Sequence, residues 1–357
     1  MPIQFTDGQW EQVRETYARW WAGTLERPLI KVTVRDALDP GREAPATPRI
    51  NQENCHDMSV SPEEIIDAID YELCCTAFLG DAFPYVNFDV FGPGVLAAFC
   101  GAKLDNSSGR VWFFPEEALP IDKIRIQYDP NNPWTQRIKD IYRAGQARWG
   151  NKVLISFPDL GGVLDAVAVF RGSEDLLMDL YDEPEEVHRL CREAQAAWWE
   201  AYRDFAGVLF PMSPGYSDWG GLYSAEPSFI LQSDFSYMIG PDMFREFVLP
   251  YLRKDCEMLT NVIYHLDGVG ELPHLDMLLG IKELDAVQWV YGDGQPTARH
   301  WLEVYKRIAA AGKNIFMVGN IEDMAAVSAE IKHGLYMNYG TRSVAEARAL
   351  LDTYGVK

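Results

Sequence analysis

Short apolar runs alternate with amphipathic segments along most of the chain. Apolar runs that end in glycine- or proline-containing loops are typical of buried strands, and apolar residues at three- and four-residue spacing are typical of helices. The pattern predicts eight strands, at Leu29–Val34, Phe83–Val86, Val153–Ser156, Val208–Met212, Val262–Leu266, Ala286–Val290, Ile315–Val318 and Gly334–Met337. Helices are predicted at Asn132–Trp149, Pro184–Phe205, Pro241–Leu259, Thr297–Ala311, Ile321–Ile331 and Ser343–Tyr354.

This alternation predicts an α/β fold, a single (β/α)8 TIM barrel that occupies residues 1–357. A doubly wound open sheet has the same alternation and is the competing fold. The barrel is favoured because no GxGxxG sequence follows the first predicted strand. We expect two additions to the barrel: an N-terminal helical extension at residues 1–28 and a long loop at residues 37–60. A hairpin is also expected around Arg110–Phe114.

The composition is that of a folded globular protein with a strongly acidic surface. Acidic residues number 53 against 32 basic ones, for a formal net charge of −21. Such a field repels nucleic acid and anionic membranes, so neither is an expected partner. The chain has no apolar run of membrane-spanning length and no signal-like N-terminus, which predicts a cytoplasmic location. The six cysteines show no CxxC spacing and are expected to be buried, reduced thiols.

The strand-end sequence Tyr264-His265-Leu266-Asp267-Gly268 carries the strongest candidate chemistry. His265 and Asp267 are two residues apart, so on a strand they share a face, where they could bind a metal or transfer a proton. The ordinary alternative is a buried histidine beside a turn-forming Asp-Gly pair. Active sites of barrels lie at the carboxyl ends of the strands, which favours a role for this pair in a site.

Other predicted strand ends also offer polar or aromatic groups. The expected substrate-binding residues are Arg35, Asn87, Asp89, Asp218, Trp219, Tyr223 and Asn320. Residues 218–223 could form an aromatic wall for a ligand, or a glycine turn with core aromatics. Asp234 could hydrogen-bond a substrate or cap a helix, and Asn320 could bind a ligand or cap the helix that begins at Ile321.

Several segments resemble the uroporphyrinogen decarboxylase superfamily. They are residues 158–184, residues 232–251, His265-x-Asp267-Gly268, Ala286-Val287-Gln288 and Val318-Gly319-Asn320-Ile321, within a likeness over residues 80–350. The resemblance implies a TIM barrel that often forms a homodimer. It also implies one of two activities: metal-free porphyrinogen decarboxylation, or zinc-dependent methyl transfer between corrinoid proteins and thiols or folates.

The sequence departs from both branches of that superfamily. The decarboxylases carry a Met-Arg-Gln-Ala-Gly-Arg-Tyr motif whose arginines hold substrate carboxylates, and here only Arg35 remains. The methyltransferases carry His-x-Cys and a second cysteine near the last strand. Here Asp267 occupies the first cysteine position, and residues 338–341 supply no thiol. His265 and Asp267, with Glu271 nearby, would suit zinc or another divalent metal with nitrogen and oxygen ligands, or metal-free acid–base chemistry.

These observations predict a methyltransferase-like enzyme for corrinoid-linked methyl transfer or demethylation of a small substrate. His265, Asp267 and Asp234 are the expected catalytic residues, and His265, Asp267 and Glu271 the expected metal ligands. A methyl-corrinoid is the expected co-substrate and a corrinoid protein the expected partner. Two alternatives stay open: a decarboxylase of a porphyrinogen or related aromatic acid, using Arg35 with Asp89 or Asp234, and a non-catalytic corrinoid- or metal-binding protein.

Overall fold

Strands and helices alternate through the chain in the structure, a computed structural model that describes residues 2–210 and 212–356. In these residues the strands are β1 Leu29–Val34, β2 Ala77–Gly80, β3 Tyr85–Val86, β4 Lys103–Asp105, β5 Trp112–Phe114, β6 Leu154–Ile155, β7 Ser228–Gln232, β8 Asn261–Asp267, β9 Ala286–Val290, β10 Asn314–Phe316 and β11 Leu335–Gly340. The helices are α1 Asp7–Trp21, α2 Pro62–Cys75, α3 Leu96–Phe99, α4 Pro133–Trp149, α5 Val163–Arg171, α6 Ser173–Asp182, α7 Pro184–Leu209, α8 Pro241–Phe247, α9 Leu249–Met258, α10 Leu275–Leu279, α11 Leu302–Ala310, α12 Ile321–Glu330 and α13 Val344–Thr353. Short 3-10 helices cover Asp89–Phe91, Ile121–Lys123, Asp234–Met238, Val269–His274 and Ala298–Trp301.

Parallel pairing dominates the strands, which confirms a mixed α/β fold. The main sheet has the order β2-β1-β11-β10-β9-β8-β7, and only its β1–β2 pair is antiparallel. Strands β3 and β6 form a separate parallel pair. Strands β4 and β5 form an antiparallel pair, which confirms the predicted hairpin. Because parallel strands of one sheet end at the same edge, the residues that follow β7, β8 and β9 are brought together.

The strand predicted at Val208–Met212 is wrong. Val208 and Leu209 belong to α7, whose buried stripe runs Trp198, Tyr202, Phe205 and Leu209 at helical spacing. Pro211 lies outside the described residues, and Phe210 and Met212 belong to no strand. The strand that follows α7 is β7, where all five residues are buried.

Helix α1 lies at the amino ends of the parallel strands. It begins with a capping box between Thr6 and Gln9. Four of its buried residues, Trp10, Val13, Tyr17 and Trp20, join one hydrophobic cluster with Phe83, which lies just before β3. The cluster also takes one residue each from β1 and from β6 to β11: Leu29, Leu154, Ile230, Ile263, Ala286, Phe316 and Tyr336. The Trp20 carbonyl accepts a hydrogen bond of 2.8 Å from the side chain of Asn314, the first residue of β10. This end of the sheet is therefore filled with apolar side chains.

Residues 35–61, all described, contain neither a helix nor a strand, and α2 then begins with a capping box between Ser61 and Glu64. None of the described helices is both long and apolar enough to cross a membrane. The six cysteines are free; five are buried and Cys100 is partly exposed.

An ion pair fastens the chain just before β1 to the end of β2. Arg27 donates two hydrogen bonds to the Asp81 carboxylate, of 2.7 and 2.8 Å. The same carboxylate accepts the Ile30 backbone N–H at 2.8 Å, and the Asp81 carbonyl accepts the Tyr17 hydroxyl at 3.1 Å. The Asp81 side chain is 2% exposed, so its charge depends on these donors.

We expect Asp81→Ala to lower the free energy of unfolding by about 3 kcal/mol, because it leaves the half-buried Arg27 without a counter-ion. Urea denaturation followed by circular dichroism measures this loss. Asp242→Ala is the matched control, since Asp242 and its partner Arg245 are 93% and 59% exposed, and we expect a change within about 1 kcal/mol. Equal losses in the two variants would contradict a structural role for the Arg27–Asp81 pair.

Candidate metal and substrate site

Three side chains converge at the carboxyl edge of the main sheet. His265 and Asp267 point the same way from the end of β8, and Asp234 begins the 3-10 helix that follows β7. One ligand atom from each of the three lies within 4.8 Å of the others. His265 Nε2 is 4.0 Å from Asp267 Oδ2. The donor set is therefore one imidazole nitrogen and two carboxylate oxygens.

The orientation of the His265 ring is fixed by its neighbours on the sheet. Residue 265 pairs with Gln288 on β9, and His265 Nδ1 makes a short hydrogen bond to Gln288 Oε1. Because the amide oxygen can only accept, Nδ1 carries the proton and Nε2 keeps its lone pair toward Asp267. Burial lowers the pKa of His265, against an opposing effect of Asp267, so the neutral ring that a metal requires is favoured.

The turn that carries Asp234 is held by Asp165, at the start of α5. The Asp165 carboxylate accepts the backbone N–H groups of Asp234, Phe235 and Gly162, at 3.1, 2.8 and 3.1 Å. Burial and the nearby Asp234 raise the pKa of Asp165 to about 7. Asp234 is exposed as a residue, but its carboxyl group is partly buried. This burial raises the pKa of Asp234 to about 7, together with repulsion from the carboxylates of Asp267 and Asp159. The carboxyl groups here repel one another.

Glu271, the third ligand expected from the sequence, is not part of the group of three. It is fully buried in the 3-10 helix after β8, and its Oε2 accepts the Tyr264 hydroxyl at 3.3 Å. Burial, with Asp234 and Asp165, raises the pKa of Glu271 to about 10. A neutral carboxyl group is a poor metal ligand, and Asp234 takes the place that the sequence suggested for Glu271.

A cavity of about 470 Å³ lies beside this group, and Trp219 stands between the two. Of the predicted substrate-binding residues, Arg35, Asn87 and Trp219 line the cavity. The Trp219 ring meets the His265 ring edge to face, with 5.1 Å between the ring centres. The Trp219 indole N–H is buried and has no hydrogen-bond partner among the described residues.

The remaining predicted site residues lie outside the cavity lining. Asp89 is partly buried, and its pKa is raised by burial. Asp218 is buried, accepts the Gly220 N–H at 2.9 Å, and has a pKa raised to about 6 by burial. Tyr223 packs in the apolar cluster against Trp10, Tyr17 and Phe83. Asn320 caps α12 by accepting the Asp323 N–H at 2.8 Å.

Three residues of this region are absent from the sequence prediction: Asp165, Gln288 and Lys31. Asp165 and Gln288 act on Asp234 and His265, and a single sequence gives no signal of such pairs between distant segments. Lys31 did carry a signal, because a lysine inside the apolar run Leu29–Val34 shares its face with Thr33 and Arg35.

Comparison with known proteins identifies a shared fold but no relative by sequence. No family model matches this chain, and no curated protein is similar to it in sequence. Among solved structures, a methyltransferase from Methanosarcina mazei is similar to it with a TM-score of 0.63 and 10% sequence identity. The similarity covers 96% of this chain and 99% of that protein. The chain therefore has the fold of that methyltransferase over nearly its whole length.

Proposed function

We propose that the chain is a TIM-barrel methyltransferase of the uroporphyrinogen decarboxylase superfamily that binds a divalent metal through Asp234, His265 and Asp267. The observation that carries the proposal is the convergence of these three ligand atoms within 4.8 Å at a strand edge. The fold shared with an archaeal methyltransferase supports it.

The barrel itself is part of the proposal. Its eight parallel strands would be β1, β3 and β6 to β11, which the structure divides between two sheets. The apolar cluster that takes one side chain from each strand region supports closure of these sheets into one barrel. The Phe157 N–H, just after β6, donates to the Ser217 carbonyl at 2.9 Å, and the Tyr85 hydroxyl of β3 donates to the Asp218 carbonyl. The segment before β7 thus contacts β3 and the chain just after β6.

The residues present fit a divalent cation. Ligands of one zinc ion lie about 2.0 to 2.2 Å from it, so their mutual separations fall below about 4.4 Å, close to those of the group. Zinc accepts a ligand set of two carboxylates and one imidazole, and the carboxylate oxygens also suit harder divalent metals. The hydrogen bond that His265 Nδ1 donates to Gln288 Oε1 is the kind of contact that orients a ligating imidazole.

The chain's own residues would position the reactants around this group. Gln288 sets the His265 tautomer, and Asp165 holds the backbone of Asp234 in place. Trp219 contacts the His265 ring and also lines the larger cavity. A bound divalent cation would supply Lewis acidity, which lowers the pKa of a coordinated thiol or hydroxyl and favours its nucleophilic form.

Methyl transfer needs access for two reactants, and two cavities adjoin the group. The cavity of about 470 Å³ lies on the Trp219 side. A second cavity, of about 260 Å³, is lined by Asp267 itself with Tyr237 and Tyr291. We propose that the small substrate occupies the first cavity and that a methyl-corrinoid approaches through the second.

Elemental analysis of the purified full chain should find about one divalent transition-metal ion per chain. Asp234→Asn, His265→Ala and Asp267→Asn should each weaken metal binding at least about tenfold, since loss even of a group that only orients a ligand has that effect. Glu271→Gln is the matched control, because Glu271 is already neutral at pH 7 and lies outside the group. Loss of metal in Glu271→Gln with retention in Asp234→Asn would overturn the assignment of ligands.

Zinc-loaded protein should transfer the methyl group of methylcobalamin to a small thiol, followed by the visible absorbance of the corrinoid. His265→Ala should lower the rate by about 100-fold or more, and replacement of the exposed His300 by alanine should leave the rate unchanged. Turnover of uroporphyrinogen without methyl transfer would favour the decarboxylase alternative instead. Metal binding without turnover of either substrate would favour the alternative of a non-catalytic corrinoid- or metal-binding protein.

A further inference from the structure

Lys31 is a buried lysine in the wall of the larger cavity. It lies in the middle of β1 and is 3% exposed. Its Nζ donates to the Gly221 carbonyl at 2.6 Å and lies over the rings of Phe83 and Tyr85, at 4.4 and 4.9 Å from their centres. No carboxylate of the described residues is within ion-pair distance of it. Two of its three N–H donors therefore lack an acceptor.

The cavity holds a second cation that has no counter-ion. Lys31 and Thr33 lie on one face of β1, Arg35 follows the end of that strand, and all three line the cavity. Arg35 forms no ion pair with any described residue, whereas the nearby Arg49 pairs with Glu72. The chain has a net charge of −21, so two unpaired cations in one cavity make this cavity locally positive on a protein that is negative as a whole.

A buried ammonium group without a partner is unfavourable, and the structure offers it no anion. Burial lowers the pKa of Lys31 to about 7. The titratable or charged groups on the elements around it are Tyr85 from β3, Tyr336 from β11, Asp218 from the segment before β7 and Asp81 after β2. The cavity wall also carries Arg35 and Asp36, which follow β1, and the paired Arg49 and Glu72. Asp81 is engaged by Arg27, and Asp218 accepts from Gly220.

We propose that Lys31 anchors the carboxylate of a small, flat organic anion in this cavity. The carboxylate would accept the two free N–H donors of Lys31, and Phe83, Tyr85 and Trp219 would contact the flat body of the ligand. Because Trp219 also touches His265, the opposite end of such a molecule would lie on the side of the cavity nearest the group of three ligands. This last step rests on the proposed function, whereas the anchoring by Lys31 does not.

The ligand must raise the proton affinity of the amine that it contacts. Burial favours the neutral amine of Lys31 in the free protein, and a bound carboxylate favours the ammonium form. Binding is therefore coupled to proton uptake, and affinity falls as the pH rises above about 7. A lysine with a purely structural role would show no such coupling.

Calorimetric titration of the metal-free full chain with benzoate, at pH 7.5 in Hepes and in Tris, tests the proposal. The difference in heat between the buffers should report proton uptake, and benzamide, the neutral analogue, should bind at least about tenfold more weakly. Lys31→Met should lose at least about tenfold in benzoate affinity together with the proton uptake, and Lys31→Arg should regain part of the affinity without the proton uptake.

Arg49→Gln is the matched control, since Arg49 lines the same cavity but is paired with Glu72, and its effect should stay within about threefold. Lys31→Met should unfold at a temperature no lower than that of the unaltered protein, because an unpaired buried amine is removed. Equal affinity for benzoate and benzamide, unchanged benzoate affinity in Lys31→Met, or the absence of any benzoate binding would each overturn the proposal. None of these results depends on metal content, which is measured separately.

Discussion

Burial of carboxyl groups without basic partners is the constraint that organises the candidate site. Among the described residues, Asp159, Asp165, Asp234 and Glu271 form no ion pair with lysine or arginine, and their pKa values are raised to about 7, 7, 7 and 10. Backbone N–H groups that donate to these carboxylates offset part of the free-energy cost of burying them, and three such groups donate to Asp165. Protonation of the carboxylates offsets a further part of that cost. A cation between Asp234 and Asp267 would relieve the remaining repulsion, so the electrostatics of the edge favour a bound positive charge.

The fold confines this polar chemistry to one end of the sheet. Helix α1 fills the amino ends of the strands mainly with tryptophan and tyrosine side chains, which keeps the candidate site away from this end. At the other end, the parallel register sets His265 beside Gln288, and a slip of one residue would turn either side chain to the opposite face. The hydrogen bond that selects the His265 tautomer thus depends on the apolar packing that fixes the register.

Local spacing was sufficient to predict one part of the site and insufficient for the rest. The two-residue interval between His265 and Asp267 on an apolar run identified their shared face. Proximity in sequence then suggested Glu271, but the left-handed turn at Gly268, with φ of +82°, directs the chain away and buries Glu271 beside Tyr264. Asp234 reaches the group only through the pairing of β7 with β8. Strand β7 was missed because polar residues at both of its ends interrupt a short apolar run, while the apolar run at 208–212 continues the stripe of α7.

Opposite charges in this region are kept apart by the strand order. Strands β11, β10 and β9 separate β1, which carries Lys31, from β8, which carries His265 and Asp267. Lys31 therefore cannot neutralise the carboxylates of the group, although both would gain from a counter-charge. Trp219 lies between the two regions, in contact with the His265 ring and in the wall of the cavity that holds Lys31. An anion beside Lys31 and a cation beside the carboxylates would each supply a counter-charge that the strand order prevents the protein's own groups from supplying.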